Sequence, residues 1–253
     1  MSHAAERYLG PARPRNLLQI RASSFDRTFG RAQVANLLTP EIHDRLHGIA
    51  TLVEFPHGRD VIFNEGDDVS HIYFIAGGMV RISRRTASGR RQVIAFMLPG
   101  DMFGMPEQGL YANSAETMGD VTLYQVPWPQ LSTLMQQDAA LQAGLLMGMS
   151  FELRQAQKRI LILGQQNVSQ RLASFLLDLM EHGDFYDAPQ RQLFLPLSRF
   201  DLADYLGTSA ETVVRILAKL EKDSLVRRLS SRLLLIPSPE GLVRLLRGRR
   251  RND

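Results

Sequence analysis

Glu211 and Arg215 are the side chains with the most specific chemistry to offer, because they stand four residues apart in the stretch AETVVRILAKLE (210–221). A spacing of four places both on one face of a helix. A carboxylate there can accept from the amino group of cytosine, and a guanidinium can donate to both major-groove acceptors of guanine. Ala210 and Val214 complete the leading turn and a half of that face. Thr208, Ser209, Thr212, Lys219 and, upstream, Ser198 supply hydroxyl and ammonium groups around it, and Arg227, Arg228 and Arg232 follow within one short segment. Together these twelve residues form the candidate DNA-binding set.

Other chemistries find little support. The chain has no cysteine, which excludes disulfides, thiolate zinc sites and cysteine-ligated iron–sulfur clusters. His43 and His47 are four apart and could share a metal on one helix face, although a solvated surface carries such pairs more often. A jelly-roll oxygenase or isomerase needs His and carboxylate ligands converging inside its barrel, and the candidate strands supply only His71. No G-x-S-x-G or P-loop pattern occurs. No catalytic residue, metal ligand or cofactor is therefore expected, and the ten methionines are read as core filler.

The base-reading pair must sit on a rigid support, and the flanking sequence describes one. Ser198 and Asp201 form an S-x-x-D capping box that opens a short helix, and Gly207 ends it in the left-handed conformation. Thr208 and Ser209 cap the next helix, whose Val213, Ile216, Leu217 and Leu220 face inward. Two short helices joined by a turn containing glycine make a helix-turn-helix, with the second helix entering the major groove. Leu225 to Ile236 alternates around Ser230 and Ser231, as a two-stranded wing would. A helix from Val168 to His182 precedes them, followed by a linker with Gly183, Asp184 and Pro189.

Upstream, Leu146, Met149, Leu153, Ala156, Ile160 and Leu163 repeat at alternating steps of 3 and 4, a coiled-coil seam between polar residues from Glu152 to Arg159. Such a stripe can pack on its own domain or on a second copy, and the strict register favours a homodimer. Residues 40–126 instead show short β-like runs (VIF, HIYFIAGGMVRIS, RQVIAFML, VTLYQVP) broken by NEGDD, TASGR and LPGD, the pattern of an antiparallel roll or jelly roll. The expected architecture is thus α+β. A flexible arm (1–36) precedes a β-roll (37–137), a long dimerisation helix (138–167) and a winged helix-turn-helix domain (168–253).

Charge follows the same division. Residues 209–253 hold 11 Lys or Arg against 5 acids, residues 1–35 hold 6 Arg against 2 acids, and the acidic body between them has 13 basic and 19 acidic side chains. A basic end on an acidic body suits a nucleic-acid surface, or else a solvated tail. No apolar stretch reaches the roughly 18–20 residues of a membrane span, and no signal peptide is evident. A cytoplasmic protein without a membrane partner is expected.

The order of these modules, from about residue 37 to 245, resembles the CRP/FNR family of bacterial transcription regulators. IFNEGDDVSHIYFIAGGMVRI (62–82) and LPGDMFG (98–104) resemble the glycine-rich turns of its roll. SGRRQVIAFMLPGD, RILILGQQNVSQRLASFLL and DLADYLGTSAETVVRIL are most similar to the FixK and FNR branch. The resemblance implies an activator that binds an inverted repeat of TTGA-like half-sites as a homodimer and touches RNA polymerase through the roll, with the basic turn Arg84 to Arg91 a candidate contact.

Departures from the family pattern are informative. In members that bind cyclic nucleotides, a Gly-Glu pair and an Arg-Ser element hold the ribose and phosphate. Met105 and Asn113 stand where the Glu and Arg would be. An amide cannot replace a bidentate guanidinium against phosphate, so cyclic AMP is not expected. With no cysteine, the iron–sulfur route to oxygen sensing is closed as well. A member gated by haem or by another small ligand remains the alternative. Val214 occupies a position where FNR-like relatives often carry Ser, and Ala210 one where cyclic-AMP-dependent members carry Arg.

Overall fold

The computed structural model describes residues 46–56 and 58–247. The proposed arm 1–36, His3, His43 and His57 lie outside them. Ten strands come first: β1 (Thr51–Phe55), β2 (Val61–Phe63), β3 (His71–Gly77), β4 (Val80–Arg85), β5 (Arg91–Met97), β6 (Met102–Phe103), β7 (Pro106–Glu107), β8 (Leu110–Tyr111), β9 (Ser114–Thr117) and β10 (Val121–Pro127). They form two four-stranded antiparallel sheets, ordered β1-β10-β3-β6 and β2-β9-β4-β5, with β7 and β8 as a separate hairpin. This is the expected roll.

The period of two explains the continuous apolar runs. Along β3, Tyr73 and Ile75 enter the core between the sheets, while Ile72 and Phe74 point to the other side and pack with Leu131, Leu141 and Leu145. Strand β4 behaves likewise, since Val80 and Ile82 point into the roll. Its Arg81 and Ser83 are buried on the opposite face. The reversal between β3 and β4 depends on Gly78, at φ 83°, where a Cβ would stand 2.3 Å from the carbonyl oxygen of Asp120.

Six helices and four further strands follow the roll. Helix α1 (Trp128–Gln137) follows the roll, and the long helix α2 (Ala139–Gln165) starts at Asp138, whose carboxylate accepts from the Ala140 and Leu141 amides. Its 27 residues span about 40 Å. Next are α3 (Val168–Met180), β11 (Tyr186–Asp187), β12 (Gln192–Phe194), α4 (Arg199–Leu206), α5 (Ala210–Lys222), β13 (Arg227–Arg228), β14 (Leu233–Leu235) and α6 (Pro239–Arg247). The last four strands form one sheet ordered β11-β12-β14-β13.

Three local expectations change. The segment after α3, read as a linker, is the hairpin β11-β12, because Gln192 to Phe194 pair with Leu233 to Leu235 of the wing, a contact with no sequence-local signal. Helix α1 was not separated from the roll. Nor was α6 from the wing; it packs along α3, where Gln170 Nε2 donates to the carbonyls of Leu245 and Leu246. On the polar side of α2, Lys158 pairs with Asp178 at 3.0 Å at the surface, and the half-buried Arg159 stacks on Tyr205.

Candidate nucleic-acid interface

Helix α4 begins at a complete capping box, with Ser198 Oγ accepting from the Asp201 amide, and ends at Gly207 with φ 64°. That left-handed residue turns the chain toward α5, whose N-cap is Ser209, with Oγ accepting from the Thr212 amide at 3.2 Å. Thr208 is not the cap; its amide instead closes the end of α4 on the Ala203 carbonyl. Val213, Ile216, Leu217 and Leu220 are buried and fasten α5 to its domain, as the sequence predicts.

The opposite face of α5 is open. Glu211, Val214, Arg215 and Lys219 are exposed, and Ala210 and Thr212 are half-buried at the leading end. Carboxylate, branched apolar group and guanidinium therefore share one solvent face at the N-terminal part of a helix, the geometry that reads base edges. Arg227, Arg228 and Arg232 are exposed on the wing beside it. Not all twelve proposed residues are equally available. The Ser198 hydroxyl donates to Asp201 Oδ2 at 2.5 Å, within the cap. Arg228 pairs with Glu221 at 2.7 Å and also donates its amide to it, tying the wing to α5. That amide bond, followed by the guanidinium, holds the Glu221 carboxyl below its ordinary range.

Arg199 was missed by sequence reasoning. Its Nη2 donates to the Ser231 carbonyl at 3.1 Å, while Nη1 is buried with no partner. With Glu221, Arg228, Leu229, Ser230 and Ser231 it lines an open recess of about 380 Å³ between the helix-turn-helix and the wing. Burial, then the charge of Arg228, lowers the Arg199 pKa, so an anion placed there would favour the charged form of Arg199. Its position directly after the cap of α4 was the available signal. Phe200, 73% exposed on the same turn, was missed too.

Two further surfaces bear on function. The proposed seam of α2 faces solvent: Leu146, Met149, Leu153, Ala156, Ile160 and Leu163 are all exposed, Ile160 to 68%. Met147 and Leu161 are exposed as well, so the apolar strip is wider than the seam alone. Inside the roll, Phe63 stacks on Tyr111 with centroids 3.7 Å apart and Tyr73 on Phe103 at 5.2 Å. Tyr111 Oη donates to the His71 carbonyl at 2.8 Å. Met105 packs against the core shared by the roll and helices α1 and α2, and Ser114 Oγ accepts from the Glu65 amide at 2.9 Å.

A model of the cyclic nucleotide-binding domain matches residues 52–138, and a model of the Crp-like helix-turn-helix domain matches residues 170–245. The nitrogen fixation regulation protein FixK of Rhizobium meliloti is 36% identical over 197 residues, covering 78% of this chain and 88% of that protein. The chain belongs to the CRP/FNR family of transcription regulators. The nitrogen fixation regulation protein FixK of Azorhizobium caulinodans is 37% identical over 73% of this chain and 75% of its own length. The solved structure of FixK2 from Bradyrhizobium japonicum, 29% identical, superimposes with a TM-score of 0.70 over 77% of this chain and 96% of that one. The roll, long helix and winged helix-turn-helix are thus the CRP/FNR architecture. Among the described residues, no helix is long and apolar enough to cross a membrane.

Proposed function

We propose that this CRP/FNR protein is a cytoplasmic, homodimeric transcriptional activator that reads a TTGA-like inverted repeat with α5 and its wing. The carrying observation is the exposed row Glu211, Val214 and Arg215 over a buried apolar face of the same helix. Glu211 and Arg215 address the central C·G pair and its neighbours, and Arg199, Arg227 and Arg232 neutralise backbone phosphates. The exposed strip on α2 supports dimerisation, because about six apolar side chains in register are costly to leave in water. Activation would run through RNA polymerase. The turn Arg84 to Arg91 is a narrower candidate contact than its sequence suggests, since Arg84 pairs with Glu65 and Arg91 with Asp201 and Asp204. Arg85 and Arg90 are exposed.

No cyclic nucleotide, cofactor or catalysis enters this reading. The ring cluster in the roll, the engaged Ser114 hydroxyl, and Met105 and Asn113 in the phosphate segment support a roll that serves as scaffold. The two FixK relatives are regulators, which supports a role other than an enzyme's. Fluorescence anisotropy on a duplex with two TTGA half-sites about 34 Å apart should give binding at nanomolar protein that weakens steeply with salt. Cyclic AMP and cyclic GMP should leave it unchanged and show no heat in calorimetry at millimolar ligand. Equal binding to a scrambled duplex would overturn the proposal, and a micromolar nucleotide affinity would overturn its ligand-independent part.

A further inference from the structure

The first helix of the helix-turn-helix, α4, presents its third residue, Asp201, to the roll. Asp201 is 1% exposed and accepts from Arg81 of β4, itself 1% exposed. The other terminal nitrogen of Arg81 donates to Glu116 of β9, its cross-strand partner. Around this pair, Arg91 Nη2 lies 3.0 Å from Asp201 and 3.4 Å from Asp204, and Arg59 lies 3.6 Å from Asp201. Gln92 Nε2 donates to the Asp204 carbonyl at 2.8 Å. Burial acts to raise the Asp201 pKa, but the Ser198 hydroxyl and the charges of Arg81 and Arg91 outweigh it and hold the carboxyl below its ordinary range.

An apolar layer surrounds this cluster, in which Met79, Val93, Phe96 and Met118 of the roll share one core with Phe175 and Leu202. Apolar contact holds the two domains together but is non-directional, so it fixes their mutual angle poorly. A guanidinium that bonds two carboxylates on different elements fixes that angle. Glu116 orients Arg81 from the neighbouring strand, and Arg81 orients Asp201 across the domain boundary. Buried ion pairs of this kind add little net stability over apolar replacements, and Arg81 Nε is buried with no acceptor. What such a pair supplies is one arrangement among several. In this arrangement Glu211, Val214 and Arg215 remain exposed, so docking on the roll leaves that face of α5 free.

We propose that Arg81 is a positioning residue for operator recognition: through Asp201 it holds the helix-turn-helix at one angle on the roll and thereby sets the half-site spacing a dimer accepts. The inference rests on the DNA-reading function proposed above and adds a determinant outside the DNA-binding domain. Arg81→Met keeps an unbranched apolar stem and removes the guanidinium with its charge. Both proteins, as full chains, are titrated against inverted repeats at the preferred spacing and at one and two base pairs longer and shorter, and against a duplex with a single half-site.

Wild type should prefer one spacing at least tenfold. Arg81→Met should lose at least tenfold on that duplex, discriminate among spacings less than threefold, and bind the single half-site within twofold of wild type. Arg81→Lys, which reaches one carboxylate at a time, should fall between them. A wild-type spacing preference in a cooperatively folded Arg81→Met overturns the inference alone, whereas a wild type that binds no repeat removes it together with the function beneath it. If Arg81→Met does not melt cooperatively, Arg91→Gln at the partly exposed margin carries the test. It should loosen spacing preference at least threefold, and an unchanged preference overturns the inference.

Discussion

The guanidinium of Arg159 lies 3.4 Å from the centre of the Tyr205 ring and also donates to the Tyr205 carbonyl, so the long helix grips the first helix of the helix-turn-helix. Tyr205 in turn packs on Phe96 of the roll and Phe175 of α3, at 4.9 and 5.1 Å between centroids. All three modules therefore meet at one ring. A partly desolvated cation–π contact contributes about 1–2 kcal/mol and a charged hydrogen bond a similar amount. Arg159→Ala should cost about 2 kcal/mol and lower the melting temperature by several degrees in scanning calorimetry. Arg159→Lys should recover only part of it, because an ammonium cannot lie flat on the ring while donating sideways. An unchanged melt for the alanine variant would show that the contact carries no weight.

The seam of α2 makes a prediction about assembly. Ala156 lies in the middle of the exposed strip, where a dimer would bring two copies together. Ala156→Asp would set two carboxylates against each other in a partly buried interface, at a cost of a few kcal/mol. Sedimentation at micromolar concentration should show a dimer for wild type and mostly monomer for the variant. A monomeric wild type would refute dimerisation through this strip without an effector.

The exposed row on α5 separates specificity from general affinity. Arg215→Ala should cost about 1–3 kcal/mol and relax discrimination at its guanine, whereas Arg232→Ala on the wing should weaken all duplexes alike and flatten the salt dependence. Val214, 46% exposed, can read only by touching a thymine methyl. Replacing each half-site thymine with uracil should weaken binding at one position. Unchanged affinity at every position would make Val214 a spacer.

Two acids where the roll meets α2 predict a pH dependence. Burial raises Asp101 from an ordinary 3.8 to about 6, and burial followed by the charge of Asp101 raises Glu152 from 4.5 to about 7. Below an ordinary carboxyl pKa, Glu152 is protonated whether folded or unfolded. As pH climbs through about 7, the unfolded chain has already released a proton that the folded one must give up at a cost, so stability falls. Glu152→Gln should therefore be more stable than wild type at pH 8, by about 1–3 kcal/mol, with most of the gap closed near pH 5. Parallel melts at the two pH values check this, and a constant gap would rule out titration of Glu152 as its cause.

Much of the fold is legible because its signals are local. The Ser198–Asp201 box, Gly207 and the buried stripe of α5 each lie within a few residues, where cap geometry and the helical period act directly. The strands of the roll are legible for the same reason, through runs and turns of fixed length, and the family motifs follow from them. What the sequence could not disclose lies between distant segments. Asp201 reads as a helix cap, yet its partner Arg81 is 120 residues away and looks like one more polar residue on a strand. The pairing of β12 with β14 made a hairpin of an apparent linker, and Glu221 took up Arg228 on the wing. Such contacts leave no periodic trace, because they depend on which faces two independently formed modules bury against each other. The sequence by itself determined the strands of the roll, the capped helices and the chemistry along α5; only the tertiary structure decided where α5 is held, and by which buried charges.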